Sequence, residues 1–202
     1  ISTVKHAKKA EETGVDAVIC EGFEAGGHKG FTELTTLVLT PMVADAVHIP
    51  VIAGGGISDS RALLAALILG AEAVYLGTRF MATQESESHP HVKEKIAQAE
   101  DVCTVSMPKE YILARCLQNM FTETYLKMKD AGRSKDELGL YLKEHSQYRG
   151  QHLGDVENGE ISCGQVAGLI KSAPPATDVI GDIIRNIPKA LENLQRKLPD
   201  QN

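Results

Sequence analysis

The chain has 202 residues, 43% of them apolar, and its 21 Lys and Arg against 27 Asp and Glu give a net charge of −6. That length supports a sizeable core, while scattered basic residues and an aromatic content of only 4% argue against a nucleic-acid-binding surface. No apolar run approaches a membrane span and no secretory pattern is visible, so the sequence predicts a cytoplasmic protein with no membrane partner.

The first residues pass straight into an amphipathic helix, Val4 to Thr13, closed by Gly14 ahead of an apolar strand, Asp16 to Cys20. Glu21-Gly-Phe-Glu-Ala-Gly-Gly-His28-Lys-Gly30 follows that strand directly. Its glycines let backbone pass close to a planar ligand, and His28 is able to exchange protons near neutral pH, which marks it as the candidate catalytic residue. Glu24 reads equally well as a residue that stabilises its own loop. Thr40-Pro41 looks like an N-cap with proline at the first helical position, opening a helix through Val47.

Two further strands, Pro50 to Ala53 and Glu72 to Leu76, each run into glycine: Gly54-Gly-Gly56 after the first and Gly77-Thr78 after the second. Between them Ser58, Asp59 or Ser60 caps a helix from Arg61 to Leu69, and Gly70 stops it. Two such glycine turns, one helix apart, are expected to grip a phosphate through backbone N–H groups, with Thr78 adding a hydroxyl and Arg79 a positive charge. Only three barrel strands are readable where a closed (β/α)8 barrel needs eight. The expectation is therefore α/β, the C-terminal part of a TIM barrel, with an N-terminal barrel half required as partner.

From Ser106 onward the sequence reads as helix and loop, because Ile112, Leu113, Cys116, Leu117, Met120 and Phe121 recur at helical spacing. Ser134 to His145 forms a charged helix, Gly150 to Gly164 a polar loop, and Ile180 to Leu198 a final amphipathic helix that Pro188 kinks or interrupts. The organisation expected is βα units over 1–101, a helical lid over 102–174 and a C-terminal helix over 175–202, with apolar faces suited to a homodimer. Cys20, Cys103, Cys116 and Cys163 have no metal-ligand spacing and read as reduced thiols. His89-Pro-His91 lacks a third ligand nearby, so no metal site is expected.

Glu-Ala-Gly-Gly-His-x-Gly, then Ile-Pro-Val-Ile-Ala-x-Gly-Gly-Ile, then Leu-Gly-Thr-Arg-Phe resembles the nitronate monooxygenase family, formerly the 2-nitropropane dioxygenases, whose motifs the flavin-dependent enoyl-acyl-carrier-protein reductases share. Glu85-Ser-x-Ser-His-Pro90 and Gly164-Gln-Val-Ala-Gly-Leu-Ile170 also resemble family segments. The resemblance implies an FMN-binding TIM barrel with a helical C-terminal lid region. It implies cofactor contacts from Gly26, Gly27, Gly55, Gly56, Tyr75, Leu76, Gly77 and Thr78, with His28 as the active-site histidine. The activity implied is an FMN-dependent monooxygenase that converts alkyl nitronates to carbonyl compounds with O2. The alternative is an NAD(P)H-dependent enoyl-acyl-carrier-protein or quinone reductase on the same site, and the non-enzyme reading is a barrel fragment inactive without its other half. Glu21 departs from the glutamine many members carry, and a charged carboxylate there is unfavourable beside an anionic flavin.

Overall fold

A computed structural model describes residues 1–198; the last four residues of the expected C-terminal region lie outside the described residues. The order is α1 (Val4–Glu12), β1 (Val18–Glu21), β2 (Gly27–Lys29), α2 (Thr36–Ala44), β3 (Val51–Gly54), α3 (Ser60–Ile68), β4 (Ala73–Tyr75), α4 (Thr78–Met81) and α5 (Pro90–Ala97). Then follow β5 (Thr104–Pro108), β6 (Leu113–Leu117), α6 (Met120–Asp130), α7 (Lys135–Glu144), α8 (Ala176–Arg185) and α9 (Ile187–Gln195).

β1, β3 and β4 form a parallel sheet in the order β1-β3-β4, with Cys20 opposite Ala53 and Gly54 opposite Tyr75. β3 and β4 are each followed by a helix, and β1 by α2 after the short β2, so the architecture is that of a partial, open (β/α) barrel with a helical C-terminal region. Its core packs Ala7, Val18, Cys20, Leu39, Val43, Val51 and Ala53 between helices and sheet. All three strands end towards the same edge, and that register aligns Glu21 with Gly54, one residue before the Gly55-Gly56 turn.

Local signals explain most boundaries. The Asp59 carboxylate caps α3 by accepting from the backbone N–H groups of Arg61 and Ala62, and Gly70 leaves the helix at φ +93°. α8 and α9 break at Asn186, one residue before Ile187-Pro188, as proline requires. Ile180, Ile184, Leu191 and Leu194 remain exposed along this pair. Among the described residues, no helix is long and apolar enough to cross a membrane.

Two expectations are corrected. α2 begins at Thr36 rather than at Pro41, which lies inside it. The apparent cap at Thr40-Pro41 misled because the first N–H of the helix is satisfied by a side chain from another segment: the Glu24 carboxylate accepts from Thr36 N at 2.9 Å. The segment from Ile112 to Leu117 is not helical; β5 and β6 are an antiparallel pair, extended by β2 into a second sheet of order β2-β6-β5. Every residue of β6 is buried, Arg115 included, so its apolar residues carry no period-2 alternation and imitate a helical stripe. Phe121 and Tyr125 of α6 close this sheet together with Met107, Ala114 and Cys116.

All four cysteines are free, with Cys20, Cys116 and Cys163 buried and Cys103 half-buried. Burial pushes every one of these thiols above its ordinary range. A thiol-specific disulfide reagent at neutral pH should therefore label Cys103 first, and the other three only as the chain unfolds. Fast labelling of Cys20 would show that the βα core does not pack as described.

Candidate functional site

The loop Glu21–Gly30 is built by backbone and charge together. Gly22 N donates to the Gly54 carbonyl at 3.0 Å and Phe23 N to the Leu34 carbonyl at 2.8 Å. The Phe23 ring meets two cations, with Lys29 Nζ at 4.5 Å and Arg115 Cζ at 4.6 Å from its centroid. Lys29 Nζ also donates to the carbonyls of Phe23 and Ala25, the latter at 2.9 Å. Burial, and next the neighbouring Arg115, holds the Lys29 ammonium down to about 8.

Glu24 joins this loop to the rest of the rim. Its carboxylate accepts from the N–H of Thr36 at 2.9 Å and lies 3.0 Å from the Thr36 hydroxyl, while its backbone carbonyl accepts from Gln165 N at 2.9 Å. The Thr36 hydroxyl is also 2.9 Å from the Gly55 carbonyl. Glycine is required at this crossing: Gly55 and Gly56 have φ of +99° and +72°, and a Cβ on Gly55 would stand 2.9 Å from Thr36 Oγ1. Thr78 Oγ1 accepts from Gly164 N at 2.9 Å, which ties the end of the second strand–glycine unit to the returning C-terminal segment.

These ties leave a cleft of about 560 Å³. Of the residues expected from sequence, Gly26, Gly55, Gly56, Tyr75, Gly77 and Thr78 line it together. Gly27 and Leu76 adjoin lining residues in the chain without lining the cleft themselves. His28 also stands outside its walls, on β2 and two residues beyond Gly26, with its side chain half exposed. Arg79 turns away: its Nη2 donates to the carbonyls of Ala82 and Ser172 at 2.7 and 2.8 Å, and it lines a separate cleft with α8 and α9. The positive charge expected beside the glycine turns is thus spent on holding the chain after α4.

Sequence reasoning missed Ser162, Gln147 and Gln151, which line the cleft together with Gly164 at the head of the family-like segment. Gln151 sits in a π-helical turn, Tyr148–His152, whose Gly150 approaches Gly159 and Glu160 too closely for any Cβ. The glycines of 150–164 were the available signal, since they permit this backbone-to-backbone contact. Glu21 lines the cleft as well, and burial raises its carboxyl above the ordinary range, opposed by the N-terminal amine and Lys29. His89 caps α5 by accepting from His91 N at 3.2 Å.

A cleft of this size, walled by glycine backbone at the C-terminal ends of parallel strands, is the place where barrel enzymes bind phosphate-bearing cofactors. The comparisons define the class more closely. A sequence profile of the nitronate monooxygenase family matches residues 1–186, and the chain belongs to that family of FMN-dependent oxidoreductases, a superfamily that includes nitronate monooxygenases and FabK-type flavin enoyl reductases.

The structure of FabK from Thermotoga maritima superposes with a TM-score of 0.91 at 40% identity, over 98% of this chain and 62% of that one. A nitroalkane oxidase from Streptomyces ansochromogenes gives 0.79 at 28% identity, over 96% and 58%. A (3aS,4S,5R,7aS)-5-hydroxy-7a-methyl-1-oxo-octahydro-1H-indene-4-carboxyl-CoA dehydrogenase from Rhodococcus jostii is 34% identical over 96% of this chain and 65% of its own length. The chain thus spans less than two thirds of the length of these relatives.

The glycines divide into two kinds, and the division is measurable. A Cβ at Gly26 would lie 2.4 Å from the Cys163 carbonyl carbon and 2.5 Å from Gly164 N, whereas one at Gly77 meets nothing within 4 Å. Gly26→Ala should lower unfolding stability by about 1–3 kcal/mol through overpacking, and Gly77→Ala should change it by no more than about 0.5 kcal/mol. Glu24→Ala, which strips charge-assisted bonds from Thr36, should cost about 1.5–3 kcal/mol. Denaturant titration of the three variants checks the ranking, and a Glu24→Ala protein as stable as its parent would remove the rim tie.

Proposed function

We propose that the cleft between the Gly55-Gly56 turn, Gly77-Thr78 and the Gly26 loop holds FMN, and that the protein is a reductase of enoyl thioesters driven by reduced nicotinamide. The observation that carries the reading is the open side of Gly77, where a Cβ finds empty space on the same cleft that Gly55 and Gly56 border. A phosphate end would be held by backbone N–H groups at Gly55, Gly56, Gly77 and Thr78, with Tyr75 and Leu76 adjoining it and Gly26 and Gly27 passing beside the ring system. Glu21 suits that neighbour because burial moves its carboxyl towards the neutral form. The chemistry FMN supplies when bound is two-electron transfer between a donor and an acceptor. His28 supplies proton exchange or electrostatic support at the substrate.

The preference for the reductase rests on likeness: FabK of Thermotoga maritima stands at 40% identity against 28% for the nitroalkane oxidase, and a relative at 34% is named for a CoA thioester. Oxidation of alkyl nitronates with O2 is the second reading, favoured by the family profile over residues 1–186; a quinone is a further acceptor for the same site. The barrel strands missing from β1-β3-β4 would come from an N-terminal half, and the exposed apolar residues of α8 and α9 suit a partner copy.

One anaerobic experiment separates the two main chemistries. Flavin-loaded protein mixed with reduced nicotinamide should lose its flavin absorbance rapidly; persistence of the yellow colour would sink the reductase reading in favour of nitronate oxidation. His28→Asn should lower turnover by about 100-fold or more with flavin still bound, and unchanged turnover would take His28 out of the mechanism. Gly77→Ala should weaken FMN retention without loss of fold. Protein that stays colourless when incubated with FMN overturns the cofactor assignment itself.

A further inference from the structure

Behind His28 lies an ion pair that no part of the proposed chemistry has used. Glu160 is only 3% exposed, and both of its carboxylate oxygens accept from Lys109 Nζ, at 2.8 and 2.7 Å. The Lys109 side chain is 11% exposed. The same Nζ stands 3.1 Å from His28 Nε2, while the nearer carboxylate oxygen is 3.5 Å from that nitrogen. The pair is fixed from several sides. Glu160 N donates to the His145 carbonyl, Lys109 N donates to the Ile112 carbonyl at the turn of the β5–β6 hairpin, and Cys116 Sγ approaches Glu160 Oε1 at 3.8 Å.

An ammonium has three donors and no acceptor. A 3.1 Å contact between Lys109 Nζ and His28 Nε2 is therefore a hydrogen bond only when Nε2 carries its lone pair. Were the ring to present an N–H at that position, it would face the ammonium at 3.1 Å, and the Glu160 oxygen, 3.5 Å away, lies beyond the usual N–H···O length. The neutral arrangement this geometry favours therefore carries its proton on Nδ1. Burying two charges is costly and is repaid only by good geometry and further hydrogen bonds. Such a pair set directly against one imidazole nitrogen gives that expenditure a purpose beyond folding.

We propose that Lys109 and Glu160 are positioning residues for His28, holding it as the neutral Nδ1–H tautomer so that it offers a hydrogen-bond donor to a substrate oxygen that bears or develops negative charge. This rests on the reading of His28 as the substrate-facing residue. It also selects among substrates: a thioester carbonyl or a nitronate oxygen takes such a donor, whereas a neutral carbon acid that needs a base at Nδ1 does not. Lys109 lies just past β5 and Glu160 just before the β6 bridge partner Ser162, so both come from the region the sequence offered as lid.

The test reads the tautomer directly. Intact protein labelled with ¹⁵N-histidine, with and without added FMN, is examined by long-range ¹H–¹⁵N correlation at about pH 8.5, above the ordinary histidine pKa of about 6.5. The His28 signals are assigned by their loss in His28→Asn. The wild-type ring should show a protonated Nδ1 and a bare Nε2. Lys109→Met should invert that pattern, and Lys109→Arg, which keeps a donor, should restore it.

Because Lys109→Met strands a buried carboxylate, the double variant Lys109→Met/Glu160→Gln, neutral at both positions, serves as the folded control and should show the same inversion. A wild-type ring protonated at Nε2, or a tautomer unchanged in the double variant, overturns the proposal. Those outcomes are independent of flavin content and of turnover, so they do not coincide with failure of the cofactor reading.

Discussion

The rim of this protein depends on one carboxylate. Glu24 lies in a loop after β1, yet it supplies the missing cap of α2, packs its side chain over Gly56 and lends its carbonyl to Gln165. Each contact joins segments that are far apart in the chain, so the three loops that wall the cleft are held by a shared anchor and not merely by adjacency in the sheet. A helix whose N-terminus is satisfied from outside is free to begin where the anchor stands. That is why α2 starts at Thr36, ahead of Pro41.

The second sheet does for His28 what Glu24 does for the glycine turns. β2 is only three residues long and would have no stability alone; it persists because β6 offers it a buried edge, with His28 opposite Ala114. Phe23, in contact with both Lys29 and Arg115, pins the preceding loop to the same sheet. The charges here are partly desolvated, as the lowered Lys29 shows, and the ring face and carbonyls repay part of that cost. The histidine is thereby carried on an element fixed at both ends, although its side chain remains half exposed.

How much of this was legible follows from how local each signal is. The parallel strands, Asp59 as a cap, Gly70 as a stop and the interruption before Pro188 depend on residues within a turn of one another, and all appear where the sequence puts them. The glycine turns were readable as well, because φ values of +99° and +72° demand glycine whatever surrounds them. What could not be read were pairings between distant segments. β6 is buried on both faces and so carries no alternation, Arg79 has a sequence neighbour at the cleft yet folds back to Ser172, and Gln147 and Gln151 reach the cleft only through a bend permitted by Gly150 and Gly159.

The same distinction bears on Glu21, the residue that fits the family pattern least. In the sequence it is a carboxylate where glutamine is common, and its charge would repel an anionic neighbour by Coulomb interaction at short range. In the fold it lies at the end of β1 against Gly54, on the wall of the cleft, where loss of solvent raises its carboxyl. When protonated, a carboxyl there has an O–H donor and an acceptor, as the glutamine amide has, and burial lowers the cost of that form. The environment that makes the charge expensive thus also lessens the departure from the family pattern.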